Sequence, residues 1–107
     1  MYKFCVYVPK SHLEIVKYAL FATGAGEYDG YTQCCWQVLG VGQFKPEKGS
    51  NPAIGHVGKL EMVDEYRIEI LVREERILDV RRALHRAHPY EIPAYDFSEV
   101  CHSQDKL

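Results

Sequence analysis

His85, His88 and Glu91 are the residues whose types and spacing come nearest to chemistry in this chain of 107 residues. Histidines at i and i+3 share a helix face, and a carboxylate three positions on would complete a facial site for a divalent metal. A metal held with an open position could activate water, which is the route to a metal-dependent hydrolase. Pro89 works against that geometry, because the residue before a proline is turned away from helical φ/ψ and the two imidazoles then need not point the same way. The other reading makes His88 a donor or cation meeting the exposed carbonyls at a helix C-terminus. Pro89 and Pro93 then fix the exit from helix to strand, and Tyr90 and Tyr95 pack with their hydroxyls satisfied.

The remaining reactive residues are more scattered. Cys34 and Cys35 are neighbours, so on a strand they point to opposite faces, and reduced thiols are expected. Cys5 reads as a small core hydrophobe, and Cys101 falls in a polar tail. A soft metal on Cys34 or Cys35 would need further converging ligands, and packing beside Trp36 is the plainer role. The stretch from Gly42 to Gly58, GQFKPEKGSNPAIGHVG, is dense in turn-forming residues and predicts a long loop. Gly42, Lys45, Lys48, His56 and Lys59 there make a candidate anion-binding nest, although neither nucleotide-binding glycine motif is present. Ser11, Ser50, Ser98 and Ser103 lack a nucleophile elbow, so no catalytic residue is assigned. The reading requires no cofactor, and a divalent metal at His85, His88 and Glu91 is the alternative.

The elements that must position these groups follow from periodicity. Tyr2 to Val8 mixes β-branched and aromatic residues and is ended by Pro9, which predicts a central first strand. Ser11 and Glu14 form a capping-box pattern ahead of a helix that buries Leu13, Val16, Ala19 and Leu20, and Gly24 and Gly26 stop it. Tyr31 to Val41 predicts a second strand, with Cys35, Gln37, Leu39 and Val41 on one face and Cys34, Trp36 and Val38 on the other. Glu65 to Val72 predicts a third strand, whose Asp64, Glu65, Arg67, Glu69 and Arg73 read as a solvated edge. Glu74 and Glu75 open a second helix burying Ile77, Val80, Leu84 and Ala87, and Ala94 to Val100 is a short fourth strand. This order, β-α-β-β-α-β, predicts an α+β ferredoxin-like sandwich over residues 1–100 with a polar tail over 101–107. Two crossovers put both helices on one face of a four-stranded antiparallel sheet. The other face is then bare, and Trp36 marks it as an interface for a homo-oligomer, a dimer or a trimer.

Composition narrows the partners. Lys and Arg total 13 against 15 Asp and Glu, a net charge of −2, so there is no cationic surplus for nucleic acid. No apolar run reaches the ~20 residues needed to span a bilayer, and the N-terminus lacks a signal-peptide pattern. A cytoplasmic address without membrane contact is expected.

Four segments carry a family resemblance: Tyr2-Lys3-Phe4-Cys5-Val6-Tyr7-Val8-Pro9, Cys34-Cys35-Trp36, Gly40-Val41-Gly42-Gln43-Phe44-Lys45-Pro46, and the run from His88 to Asp96. Together they resemble the Nif-three-like family (NGG-one-interacting factor three, YqfO/YbgI type). The likeness runs to about Phe97 and is to the insertion domain that interrupts the metal-binding body of larger members, here expected as a free-standing protein. It implies a fold similar to CutA and PII signalling proteins. Larger members are known for a dinuclear metal centre supplied by the flanking halves and for a loosely defined hydrolase-like activity, and those halves are not in this sequence. The family's H-P-Y-E-x-P-A-Y-D signature falls on His88, Pro89, Tyr90, Glu91, Pro93, Ala94, Tyr95 and Asp96. Ile92 stands where a second glutamate is usual, which weakens an acidic metal cluster. The resemblance implies a non-catalytic, oligomeric module that binds a small molecule or protein partner through the glycine-rich loop and through Tyr90, Tyr95 and Asp96.

Overall fold

The computed structural model describes residues 1–101. The order is β1 (Tyr2–Pro9), α1 (Leu13–Phe21), β2 (Trp36–Phe44), β3 (Glu61–Val72), α2 (Ile77–Ala87) and β4 (Tyr95–Glu99), with 3₁₀ turns at Lys10–His12 and Glu74–Arg76 leading into the helices. The sheet order is β2-β3-β1-β4, and every neighbouring pair is antiparallel. This is the ferredoxin-like sandwich that the element order predicts.

The core lies where alternation puts it. Phe4, Val6 and Val8 of β1 pair with Ile70, Ile68 and Tyr66 of β3, and these residues share one sheet face. Val16 and Leu20 of α1 and Val80 and Leu84 of α2 complete the same buried cluster, so both helices cover that face. Phe97 and Tyr95 of β4 extend it, with the Phe4 and Phe97 rings 4.7 Å apart between centroids. Cys5 and Tyr7 point to the opposite, helix-free face.

Several local expectations are corrected. The second strand begins at Trp36 and runs to Phe44, not from Tyr31 to Val41. Tyr28 and Tyr31 exchange backbone hydrogen bonds of 2.8 Å across Asp29-Gly30, both at positive φ, and Cys34 N–H donates to the Gly26 carbonyl. That tight turn consumes the backbone groups a longer strand would need. The capping box does not form: the Ser11 hydroxyl lies 2.8 Å from His12 Nδ1, and α1 starts without a side-chain cap. β3 is an interior strand, so Glu65, Arg67 and Glu69 are not on a sheet edge. The edges are β2 and β4, and β2 has the expected alternation of faces but with Trp36, Val38, Leu39 and Val41 all exposed. Cys101 is exposed, and the rest of the predicted tail lies outside the described residues.

Candidate functional site

The helix-free sheet face carries a cavity of about 290 Å³. Its floor is Tyr7 of β1 and Glu65 of β3 with Phe44 at the end of β2; one wall is the loop from Lys45 to Ile54, and the other is Tyr90, Glu91, Ile92 and Ala94. Apolar and aromatic side chains dominate, with a few polar groups among them, which is the composition of small-molecule sites.

Three residues of the His88 to Ala94 segment fasten these walls together. α2 ends at His88, which takes extended backbone (φ −74, ψ 133) as the residue before Pro89 must. The break turns the imidazole away from the helix and toward the sheet. Its Nδ1 accepts from the Tyr90 N–H at 3.1 Å, so Nε2 carries the proton and donates to the Tyr7 carbonyl at 2.7 Å. His88 is only 6% exposed, and burial pushes its pKa below the usual imidazole value, against weaker opposing effects of the Tyr7 carbonyl and Glu65. The Tyr90 hydroxyl donates to Glu65 Oε2 at 2.7 Å, and its ring meets Phe44 edge-on at 5.8 Å. Burial, then the Glu65 bond and charge, drive the Tyr90 phenol well above its ordinary pKa, so it stays a neutral donor. Glu91 Oε1 accepts from the Asn51 N–H at 3.2 Å and so ties the loop down. Within the loop, Ser50 Oγ donates to the Glu47 carbonyl and Gly58 N–H to the Pro46 carbonyl.

The predicted site residues are only partly brought together. Lys45 and Tyr90 line the cavity, and Gly42 sits beside it, where a Cβ would overlap the Glu65 carboxylate. Lys48 and His56 are exposed and do not line it, and Lys45 Nζ lies 4.0 Å from Glu47. The expected anion nest is therefore not assembled, and the carboxylates at the cavity are Glu65 and Glu91. Tyr95 faces the helices, its hydroxyl 3.2 Å from His85 Nε2 and 3.4 Å from Arg81 Nε, while Asp96 is exposed on β4 opposite Cys5. His85, His88 and Glu91 do not converge: each holds a different partner, and both ring nitrogens of His88 are already bonded. Among the described residues no three His, Cys, Asp or Glu side chains are grouped to hold a metal. Nor does His88 cap the helix carbonyls, since its side chain reaches β1 instead.

Glu65 is the residue sequence reasoning missed. The signal was Gly42 on the neighbouring strand, on the same face as Glu65, whose missing side chain leaves room for the carboxylate to lie across the sheet.

The class this architecture defines is the CutA-like ferredoxin fold. The periplasmic divalent cation tolerance protein CutA from Archaeoglobus fulgidus superposes with a TM-score of 0.68 at 19% identity, over 96% of this chain and 87% of that one. A Bacillus cereus protein related to NIF3 superposes with a TM-score of 0.77 at 38% identity, over 90% of this chain and 24% of that one. No protein-family model matches. A Halalkalibacterium halodurans GTP cyclohydrolase 1 type 2 homolog is 42% identical over all 107 residues, which are 29% of its length. The chain belongs to this family, the NIF3 family, and spans less than a third of these longer relatives. Among the described residues no helix is long and apolar enough to cross a membrane.

Proposed function

We propose that the chain is a non-catalytic binding module of the NIF3 family that takes a small molecule or a partner's side chain in the open-face cavity and assembles with copies of itself through the rest of that face. The observation that carries the reading is the cavity itself. Its walls come from a loop, a helix exit and three strands, and hydrogen bonds across 25, 40 and 81 positions of sequence hold them. So many long-range ties around an otherwise hollow place support a binding role more than a packing one.

Assembly is supported by exposed apolar area. Trp36 and Val38 are 57% and 44% exposed on the open face, and Val41 and Met62 are 62% and 65% exposed on the other side of the same hairpin. Trp36, Val38 and Val41 belong to the edge strand β2, which has a sheet neighbour on one side only among the described residues, and Met62 to β3 beside it; such surfaces ordinarily end up against another chain. The alternative, a metal-dependent hydrolase on His85, His88 and Glu91, has no observation in its favour here, because those side chains serve separate hydrogen bonds.

Two measurements test the reading. A thermal-shift screen against a mixed set of metabolites should give at least one stabilising compound whose amide perturbations map to Phe44, Glu65 and Tyr90. Light scattering at micromolar concentration should give a mass above one chain. A monomer with no stabilising compound overturns the proposal, and a stoichiometric divalent metal in the purified protein restores the hydrolase reading.

A further inference from the structure

The cavity has a chemical preference that the binding-module reading leaves open. Glu65 is held from one side only: Oε2 takes the Tyr90 hydroxyl, and Oε1 accepts no hydrogen bond from any described residue. The bond from Tyr90 fixes the carboxylate's position, and the missing side chain of Gly42 gives it the space it occupies. A carboxylate half-withdrawn from water, with one oxygen unengaged among the described residues, is best satisfied by a charged N–H donor.

The surroundings agree in sign and in shape. The second carboxylate at the cavity, Glu91, is also half-engaged, while the one cation among the lining residues, Lys45, lies 4.0 Å from Glu47 on the loop. The rings of Phe44, Tyr90 and Tyr7 border the same space, and aromatic faces attract cations as well as flat apolar bodies. A volume of about 290 Å³ suits a molecule of one or two rings.

Resting on the binding-module reading, the geometry points to a flat organic cation as ligand: an amidinium or guanidinium group on an aromatic body, its N–H edge on Glu65 and its ring among Phe44, Tyr7 and Tyr90. Glu65 and Glu91 disfavour an anion of the same shape.

The test uses three probes on the full chain, followed by amide chemical shifts: benzamidine, its anionic counterpart benzoate, and methylguanidine, which has the cation without the ring. Benzamidine is expected to bind at least 10-fold tighter than either of the others and to perturb Phe44, Glu65 and Tyr90. Glu65→Gln, which still accepts from the Tyr90 hydroxyl, should weaken benzamidine at least 5-fold without lowering the melting temperature. Ala53→Trp, at the loop side of the cavity, should abolish binding, and it keeps the test decisive if the Glu65 variant does not fold. Benzoate binding as tightly as benzamidine, perturbations away from the cavity, no benzamidine binding, or full affinity in the folded Glu65→Gln protein each overturn the inference. If benzamidine fails while the metabolite screen gives a compound mapping to Phe44, Glu65 and Tyr90, the module reading stands and only the ligand class is wrong. If neither binds, both fail.

Discussion

Replacing His88 should unfasten the site, and the size of the effect can be worked from its two hydrogen bonds. His88→Ala removes the 2.7 Å bond to the Tyr7 carbonyl and the 3.1 Å bond from the Tyr90 N–H, leaving both backbone groups without a partner in a part-buried place. Each lost bond with its orphaned group costs about 1–2 kcal/mol, so the substitution should destabilise by about 3 kcal/mol. In a domain of this size that lowers the melting temperature by roughly 10–20 °C. The histidine also carries a pH signature. Its folded pKa lies below the unfolded value of 6.5 because burial disfavours the imidazolium. The unfolded chain therefore binds the proton first, and His88's contribution is full above pH 6.5 and is lost as pH falls through its folded pKa. Urea denaturation of wild type and His88→Ala from neutral to mildly acidic pH isolates this group, since all other ionisable side chains are common to both proteins. The stability gap should narrow on acidification, by at most about 1.4 kcal/mol per pH unit. A cost below about 0.5 kcal/mol at neutral pH, or a gap that widens in acid, would refute the reasoning.

Tyr90→Phe should cost about 1 kcal/mol, discounted for partial exposure, by removing the bond to Glu65. Because the Tyr90 phenol is raised from 10.0, its contribution is present below pH 10 and lost above it; the tyrosinate absorbance missing from Tyr90→Phe should belong to a tyrosine that ionises later than an ordinary one. Gly26→Ala should destabilise by about 2–4 kcal/mol, because at φ +79 its Cβ would meet the Cys34 carbonyl oxygen at 2.7 Å. Gly24→Ala, at φ +93 but with its nearest neighbour 3.4 Å away on the flexible Arg76 side chain, should cost about 1 kcal/mol, and chemical denaturation of the pair checks the difference. Trp36→Glu should lower the mass seen by light scattering while far-ultraviolet circular dichroism is unchanged, since Trp36 is 57% exposed in the single chain. Retention of the wild-type mass would remove Trp36 from the interface.

The fold was legible because its signals are local. Alternation in Tyr2–Pro9 and Glu61–Val72 sets which residues face the helices, and the helical spacing of Val80 and Leu84 sets the complementary face. Where local signals compete, legibility fails: Tyr31 to Cys35 has strand composition, but Asp29-Gly30 closes a turn that spends its hydrogen bonds first. The site was legible only in outline. The loop and the His88 to Asp96 segment stand out by composition, yet their meeting depends on bonds between Asn51 and Glu91, 40 positions apart, and between Glu65 and Tyr90, 25 apart. Nothing in hydrophobic period or turn chemistry records such pairs. Lysines in a glycine-rich loop therefore suggested an anion, whereas only Lys45 of them lines the cavity, beside two carboxylates from elsewhere in the chain.

The His-Pro-Tyr-Glu run acquires a physical meaning that neither metal binding nor helix capping supplies. Within four residues it reaches three separate parts of the molecule: His88 bonds the backbone of β1, Tyr90 bonds a side chain of β3, and Glu91 bonds the backbone of the β2–β3 loop. Pro89 makes this possible by ending the helix and holding His88 extended, so that Tyr90 reaches the sheet and Glu91 the loop. Buried Pro93 then steers the chain into β4. The fastening is in series, because Tyr90 receives its orientation partly from His88 Nδ1 and passes it to Glu65. Protonating His88 takes away the acceptor for the Tyr90 N–H, so acid should loosen Glu65 and the cavity before it unfolds the hydrophobic core on the other face of the sheet. His88's share of global stability should begin to fall below pH 6.5, and ligand affinity should fall further into acid, as pH passes the lower folded pKa of His88; affinity unchanged by acid in the still-folded protein would mean that His88 holds the fold rather than the site.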